Sequence, residues 1–164
     1  MAETSFPTLL HLLEQAVAGR AFRMPLAEHL GFHVVHAEAG KVTVELEPKE
    51  YHRNIMGTVH GGVLCDIADA AMGLAFGTTL PAGQSFTTIE LKINYLRPVF
   101  QQTVRAQGVV SHRGRNLGLI ECRIVDEQDK LIAFATSTYT VLDGDSAQNR
   151  SIQPNFGARD AGER

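Results

Sequence analysis

The sequence predicts an α+β fold in which about six antiparallel strands surround one long helix. Two observations carry this prediction. Residues 60–76 are almost entirely apolar and small, which is typical of a buried helix. The segments on either side alternate apolar and polar residues with a period of two, which is typical of half-buried strands. Because small side chains let backbones approach closely, one curved sheet can wrap around such a helix.

The first part of the chain, residues 1–30, is predicted to be a helical segment. Thr4 or Ser5 can cap a first helix, whose apolar residues recur with helical spacing up to about position 17. A second, shorter helix is predicted over residues 25–30. Gly31 follows it directly and is a suitable stop signal.

Residues 31–142 are predicted to form the main domain. A strand begins at Phe32, turns at residues 38–40, and is followed by a second strand that reaches Leu46. After the long helix, a strand over residues 88–95 alternates until Pro98 stops it. Three more strands are predicted, roughly at 103–111, 117–125 and 131–142. The polar segment 143–164 is predicted to be a disordered tail.

Composition excludes several classes of function. At 164 residues the chain can bury a single core without disulfides or metal. Its formal net charge of -3 argues against nucleic acid as a general partner. Cys65 and Cys122, the two cysteines, form no paired motif, so we expect reduced thiols, no metal site and a cytoplasmic location. Glu14 interrupts the apolar N-terminal run, so no membrane span or secretory signal is predicted there.

The long helix contains the residues best suited to chemistry. Its only formal charges are Asp66 and Asp69, and a carboxylate in so apolar a helix needs a partner or a task. The pair Gly61–Gly62 exposes backbone N–H groups at the start of the helix, where the helix dipole favours negative charge. An anion-stabilising helix end and a half-buried carboxylate suit acyl-group chemistry.

The spacing Asn-x5-His-Gly-Gly-x6-Asp, which runs from Asn54 to Asp69, resembles that of the hotdog-fold acyl-CoA thioesterases of the phenylacetate-pathway (PaaI-like) branch. Residues 91–98, Leu-Lys-Ile-Asn-Tyr-Leu-Arg-Pro, are similar to the third strand of the same family. The resemblance covers roughly residues 30–142. It implies the hotdog fold and hydrolysis of an acyl-CoA to a free acid and CoA.

The resemblance also implies roles for individual residues. It places the N–H that polarises the thioester carbonyl on Gly61, and the acidic catalyst on Asp69. The amide of Asn54 would position the water or the thioester, and the hydroxyl of Thr88 would assist. His60 precedes the helix directly, so we interpret it as structural or substrate-orienting.

Several alternatives remain open at this point. Asp69 can act as a general base or as a nucleophile. The chain can also be a non-catalytic acyl-CoA-binding or regulatory protein on the same fold. The acyl group is either aromatic or medium-chain, with Tyr95, Phe76 and Met72 as candidate lining residues. No serine-nucleophile motif is present.

No cofactor is predicted beyond the coenzyme A of the substrate. The turn formed by Arg113, Gly114, Arg115 and Asn116 offers cations and a flexible backbone for the phosphates of coenzyme A. A charged hairpin tip is an equally ordinary explanation of the same residues. Arg97 is a further candidate with the same two interpretations.

Helix geometry predicts a dimer. Gly61 and Asp69 are eight residues apart, or about 12 Å along one helix. A single reacting thioester needs both within roughly 3–3.5 Å. Two antiparallel copies can bring the two residues together, so we expect a homodimer with shared sites that pairs further into a homotetramer.

Overall fold

The computed structural model describes residues 8–20 and 22–147, which form one long helix against a six-stranded antiparallel sheet. The elements in chain order are α1 (Leu9–Val17), α2 (Pro25–Leu30), β1 (Phe32–Glu38), β2 (Lys41–Leu46), α3 (Gly61–Gly77), β3 (Ser85–Tyr95), β4 (Val104–Arg113), β5 (Leu117–Asp126) and β6 (Leu131–Leu142). Short 3-10 turns lie at Glu50–His52 and Gly144–Ala147. The predicted class and the predicted order of elements are confirmed.

The sheet has the strand order β1-β2-β4-β5-β6-β3. Strand β3, which follows the long helix in sequence, therefore crosses to the far edge and pairs with β6. Strands β1 and β3 are the two edges of the sheet. This order leaves one side of an 11-residue strand unpaired directly after the helix that contains the candidate site.

Helix α3 contacts all six strands and forms the centre of the core. Its approach to β4 is closest at Gly108, where an added Cβ would lie 2.4 Å from the carbonyl oxygen of Ala71. Real Cβ contacts are essentially never that short, so only glycine fits at this position. The small residues of the helix and of the facing strand together allow the sheet to wrap closely around it.

Helix α1 belongs to the same core. Leu9 and Leu13 are buried, and the side chain of Leu9 lies against Gly77 at the end of α3. Thr8 is the N-cap, and its hydroxyl accepts from the N–H of His11 at 3.4 Å. The predicted caps Thr4 and Ser5 lie outside the described residues. The boundaries predicted for α2 are confirmed, and Gly31, which ends it, adopts the left-handed conformation.

The prediction for β3 was partly wrong. The strand begins at Ser85 rather than Thr88, and its pairing with β6 shifts register between Thr88 and Glu90. Ile89 at this irregularity is 57% exposed, whereas strict alternation predicted it to face the core.

The predicted tail is corrected at its start. Residues 144–147 form a short 3-10 turn. At its start, the carboxylate of Asp143 accepts a hydrogen bond from the N–H of Gly144 at 2.8 Å. The rest of the predicted tail, residues 148–164, lies outside the described residues. In the part of the chain that the structure describes, no helix has the length and hydropathy to cross a bilayer.

Candidate active site

The start of α3 is built by a histidine cap. The N–H of Gly62 donates to Nδ1 of His60 at 2.9 Å, which makes His60 the N-cap of the helix. With Nδ1 as the acceptor, the proton of the neutral ring lies on Nε2. An added Cβ on Gly62 would lie 3.0 Å from Nδ1, so the close approach of this ring favours glycine. The backbone contact expected for His60 is present, and a substrate-orienting role remains a prediction.

Gly61 accepts a hydrogen bond at its carbonyl oxygen and leaves its amide N–H available to a ligand. The hydroxyl of Tyr95, at the end of β3, donates to the Gly61 carbonyl oxygen at 2.8 Å. An added Cβ on Gly61 would lie 3.1 Å from the ring of Tyr95. Within the described residues no acceptor is paired with the Gly61 N–H. A free first-turn amide at the positive end of a helix dipole is a suitable donor to an oxyanion.

Asn54 shapes the loop that leads into the helix. Its Oδ1 accepts from the N–H of Met56 at 2.9 Å and of Thr58 at 3.3 Å, and its Nδ2 donates to the Thr58 hydroxyl at 3.0 Å. Strand-like pairing of Arg53 with Val59 closes the loop. The side chain of Asn54 therefore orders the loop in this chain, and the predicted contact with water or thioester remains a prediction.

Asp69 lies two turns further along α3. Its side chain is exposed, and its carboxylate accepts a hydrogen bond from the sheet. The hydroxyl of the buried Tyr139, on β6, donates to Asp69 Oδ1 at 3.2 Å. Thr88 is the direct cross-strand neighbour of Tyr139. The structure thus brings Asp69 and Thr88, which were both predicted as site residues, together through a third residue that sequence reasoning did not identify.

The electrostatics around this carboxylate follow from partial burial. Burial, and then the charge of Asp69, raise the pKa of Asp66. Burial, and then the charges of both carboxylates, raise the pKa of the Cys65 thiol, so this cysteine remains protonated and a poor nucleophile. Burial also raises the pKa of Tyr139 well above its usual range, which keeps the phenol a hydrogen-bond donor.

The residues predicted to hold coenzyme A have different environments. The guanidinium of Arg113 lies 5.2 Å from the ring centroid of Phe76 and donates to the carbonyls of Gly114 and Arg115, so it is folded back onto its own turn. Arg115 is exposed, as is Asn116, whose carbonyl accepts from the N–H of Val141.

Arg97, the remaining candidate, is also exposed and donates to the carbonyl of Leu131. Among residues 8–20 and 22–147 no group of three His, Cys, Asp or Glu side chains is placed to hold a metal ion.

The predicted lining of the acyl pocket needs correction. Phe76 and Met72 are completely buried in the core, where Phe76 stacks on Tyr139, so they line no open surface in this chain. Tyr95 is 51% exposed and lies over Gly61. Of the three candidates, Tyr95 alone is placed beside the predicted oxyanion donor.

Comparison with known proteins identifies the family and the fold. The model of the thioesterase superfamily matches residues 56–133. A solved mutant of the phenylacetic acid degradation protein PaaI from Thermus thermophilus is 31% identical, with a TM-score of 0.67, and the match covers 71% of this chain and 98% of that one. The PaaI protein of Escherichia coli has a TM-score of 0.73 at 25% identity, over 84% of this chain and 98% of its own. The 1,4-dihydroxy-2-naphthoyl-CoA hydrolase of Listeria monocytogenes is 29% identical over 72% of this chain and 96% of its own length.

The chain belongs to the thioesterase superfamily. Its fold is the hotdog fold, and its resemblance to the PaaI-like branch is confirmed. Because it belongs to this superfamily, the protein is a thioester hydrolase by class. The matched segment begins after Asn54 and includes both Gly61 and Asp69.

Two contacts of this thioesterase were missed at the level of sequence. Tyr139 follows Ser137 on the inward-facing side of β6, where the neighbouring Ala133 and Ala135 are also buried. Polar side chains on a face that packs against a helix must find hydrogen-bond partners there, which was the available signal. The second missed contact, between Tyr95 and the carbonyl of Gly61, has no comparable signal because it depends on how the end of β3 meets the start of α3.

Proposed function

We propose that the protein hydrolyses the thioester of an acyl-CoA with an aromatic or medium-chain acyl group. The observation that carries the proposal is the pair of groups on α3: an unpaired amide at Gly61 and an exposed, hydrogen-bonded carboxylate at Asp69. Relatives named as acyl-CoA hydrolases support the substrate class, since the Listeria relative acts on an aromatic acyl-CoA by its name. Cytoplasm is the compartment we propose, because both cysteines are free thiols.

In the proposed reaction, the Gly61 N–H binds the thioester carbonyl oxygen as negative charge develops on it. Asp69 takes a proton from water, which attacks the carbonyl carbon, or its carboxylate attacks directly to give a mixed anhydride that water then hydrolyses. Coenzyme A leaves as the thiol, and the acyl group leaves as the carboxylic acid. Asn54 positions the water or the thioester, and His60 and Thr88 assist in orientation.

We further propose that each site is shared between two copies of the chain. Gly61 and Asp69 lie on one helix, about 12 Å apart along its axis, so a single chain cannot present both to one carbonyl. Strand β3 is an edge strand, and an unpaired edge of 11 residues is a natural place for a second copy to pair. The fully exposed Ile55, beside Asn54, is a second apolar surface that a partner would cover. Pairing of two such dimers into a tetramer is part of the same proposal.

The catalytic assignment is tested by Asp69→Asn, which preserves the shape of the side chain and removes its charge. We expect kcat to fall about 10²-fold to 10⁴-fold, the usual contribution of a positioned acid or base, with the thermal midpoint almost unchanged. Free thiol released from a panel of acyl-CoAs is the measurement. Asp66→Asn is the matched control because it removes the same charge from the same helix one turn earlier, and it should keep the parental rate.

The outcomes separate the two functions considered. An Asp69→Asn variant that hydrolyses at the parental rate contradicts the role given to Asp69. A parental protein that binds acyl-CoA in calorimetry and releases no thiol from any member of the panel is instead a non-catalytic acyl-CoA-binding protein. The same panel identifies the acyl group.

A further inference from the structure

Tyr139 is a buried phenol at the centre of an aromatic cluster. The residue is 1% exposed, its ring stacks on Phe76 with centroids 5.4 Å apart, and it meets Phe86 edge-on, also at 5.4 Å. Packing on both neighbours restrains the ring. Its hydroxyl oxygen is therefore held at a fixed position beneath the exposed carboxylate of Asp69.

The direction of the hydrogen bonds around this hydroxyl can be assigned. An ionised carboxylate only accepts, so the Tyr139 hydroxyl is the donor to Asp69 Oδ1, 3.2 Å away, with the Asp69 carbonyl oxygen a longer acceptor at 3.4 Å. Ser137, two residues earlier on β6, donates its own proton to the carbonyl of Glu90 at 2.6 Å. Both acceptors of the Tyr139 hydroxyl therefore belong to Asp69.

The hydrogen bond from Tyr139 holds one carboxylate oxygen of Asp69 and leaves the other open. Within the described residues no donor is paired with Oδ2, and the side chain is exposed at the surface of α3. A charge-assisted hydrogen bond to Oδ1 restrains rotation of the carboxylate. Oδ2 is therefore the oxygen that can meet a water or a thioester.

We infer that Tyr139 is a positioning residue for the reaction: its buried hydroxyl orients the Asp69 carboxylate. The inference rests on the proposed function because it assigns Tyr139 an effect only through Asp69. It holds for both chemical routes, since a general base and a nucleophile each need the ionised carboxylate in a defined orientation.

The test is Tyr139→Phe, which removes the hydroxyl and preserves the ring. We expect kcat to fall about ten-fold, the equivalent of one hydrogen bond to a charged group, with KM unchanged. Phe86→Leu is the matched control: it disturbs the same aromatic cluster without removing the hydrogen bond, so it should lower the thermal midpoint and keep kcat within about two-fold of the parent.

A double-mutant cycle distinguishes positioning from general structural damage. In an Asp69→Ala background, Tyr139→Phe should change the residual rate less than about two-fold, because the group through which it acts is gone. A ten-fold loss in that background contradicts the inference. Replacing Tyr139 with 3-fluorotyrosine keeps a donor of similar size at this position and serves if the phenylalanine variant does not fold. It should keep kcat within about two-fold of the parent, and a ten-fold loss there would contradict the inference.

The two proposals can fail separately. If Asp69→Asn keeps the parental rate, the catalytic assignment fails and the role of Tyr139 fails with it. If Asp69→Asn is impaired while Tyr139→Phe keeps the parental kcat, only the positioning role is wrong.

Discussion

At the scale of single residues, two arginines in one turn illustrate how packing separates similar side chains. Arg113 covers the ring of Phe76 and donates to carbonyls of its own turn. Arg115, two residues later, is exposed. A guanidinium that stacks on a core aromatic ring contributes to folding, whereas an exposed guanidinium is available to a phosphate.

We therefore predict different effects for the two alanine variants. Arg115→Ala should raise KM for acyl-CoA about ten-fold, the equivalent of one charge-assisted hydrogen bond, and leave KM for the matching acyl-pantetheine thioester unchanged. Arg113→Ala should chiefly lower the free energy of unfolding, by about 0.5–2 kcal/mol. The truncated thioester is the control in steady-state kinetics, since it lacks the nucleotide. Equal changes in KM for both substrates would show that Arg115 does not contact the nucleotide.

The sequence predicted the candidate site unevenly, and the reason is physical. Gly61 and Asp69 follow from a local spacing, because one helix fixes their separation. Tyr139 lies 70 residues beyond Asp69 along the chain and reaches it only because β6 passes beneath α3. Alternation along β6 places that side chain inward, but it does not say which helical residue lies above it. Contacts between distant segments depend on packing that a local pattern does not contain.

At the scale of elements, the spacing of apolar residues, together with helix-stop and turn residues, was sufficient to predict most ends of helices and strands. Helix α2 and strand β6 have the predicted ends, since Gly31 stops the first and the polar turn at 126–130 precedes the second. Strand β3 differs because its register shifts beside Ile89, and a strict period of two does not contain such an irregularity. The predictions were weakest at this edge strand, where only one neighbour constrains the backbone.

The close contact of α3 with the sheet gives a matched pair of substitutions. Gly108→Ala places a Cβ 2.4 Å from the carbonyl oxygen of Ala71, so helix and strand must separate, and we expect a loss of about 1–3 kcal/mol in the free energy of unfolding. Gly73→Ala lies within the helix, where the nearest atom is 3.5 Å away on the ring of Phe86. That variant should be neutral or more stable, because alanine is favoured over glycine in helices. Urea denaturation measures both, and equal stability of the two variants would contradict the close-packing explanation.

At the scale of the whole molecule, the candidate groups form two clusters rather than one. Asn54, His60 and Gly61 are held around the start of α3, with Tyr95 over the first glycine. Asp69, Tyr139 and Thr88 form the second cluster, further along the same helix. Neither cluster contains both an oxyanion donor and a carboxylate. In the dimer we propose, antiparallel pairing of two copies would place the first cluster of one beside the second cluster of the other.

This arrangement predicts complementation between inactive chains. In a mixed dimer of an Asn54→Ala chain and an Asp69→Asn chain, one site receives both defects and the other receives neither, because each site takes Asn54 and Gly61 from one copy and Asp69 from its partner. Mixed dimers purified through two different affinity tags should therefore recover about half of the parental kcat, while both parent homodimers remain impaired. The alanine at position 54 removes three side-chain hydrogen bonds from its own loop, but that loop belongs to the defective site. Absence of recovery in verified mixed dimers, or full activity in a fraction shown by light scattering to be monomeric, would rule out the shared site.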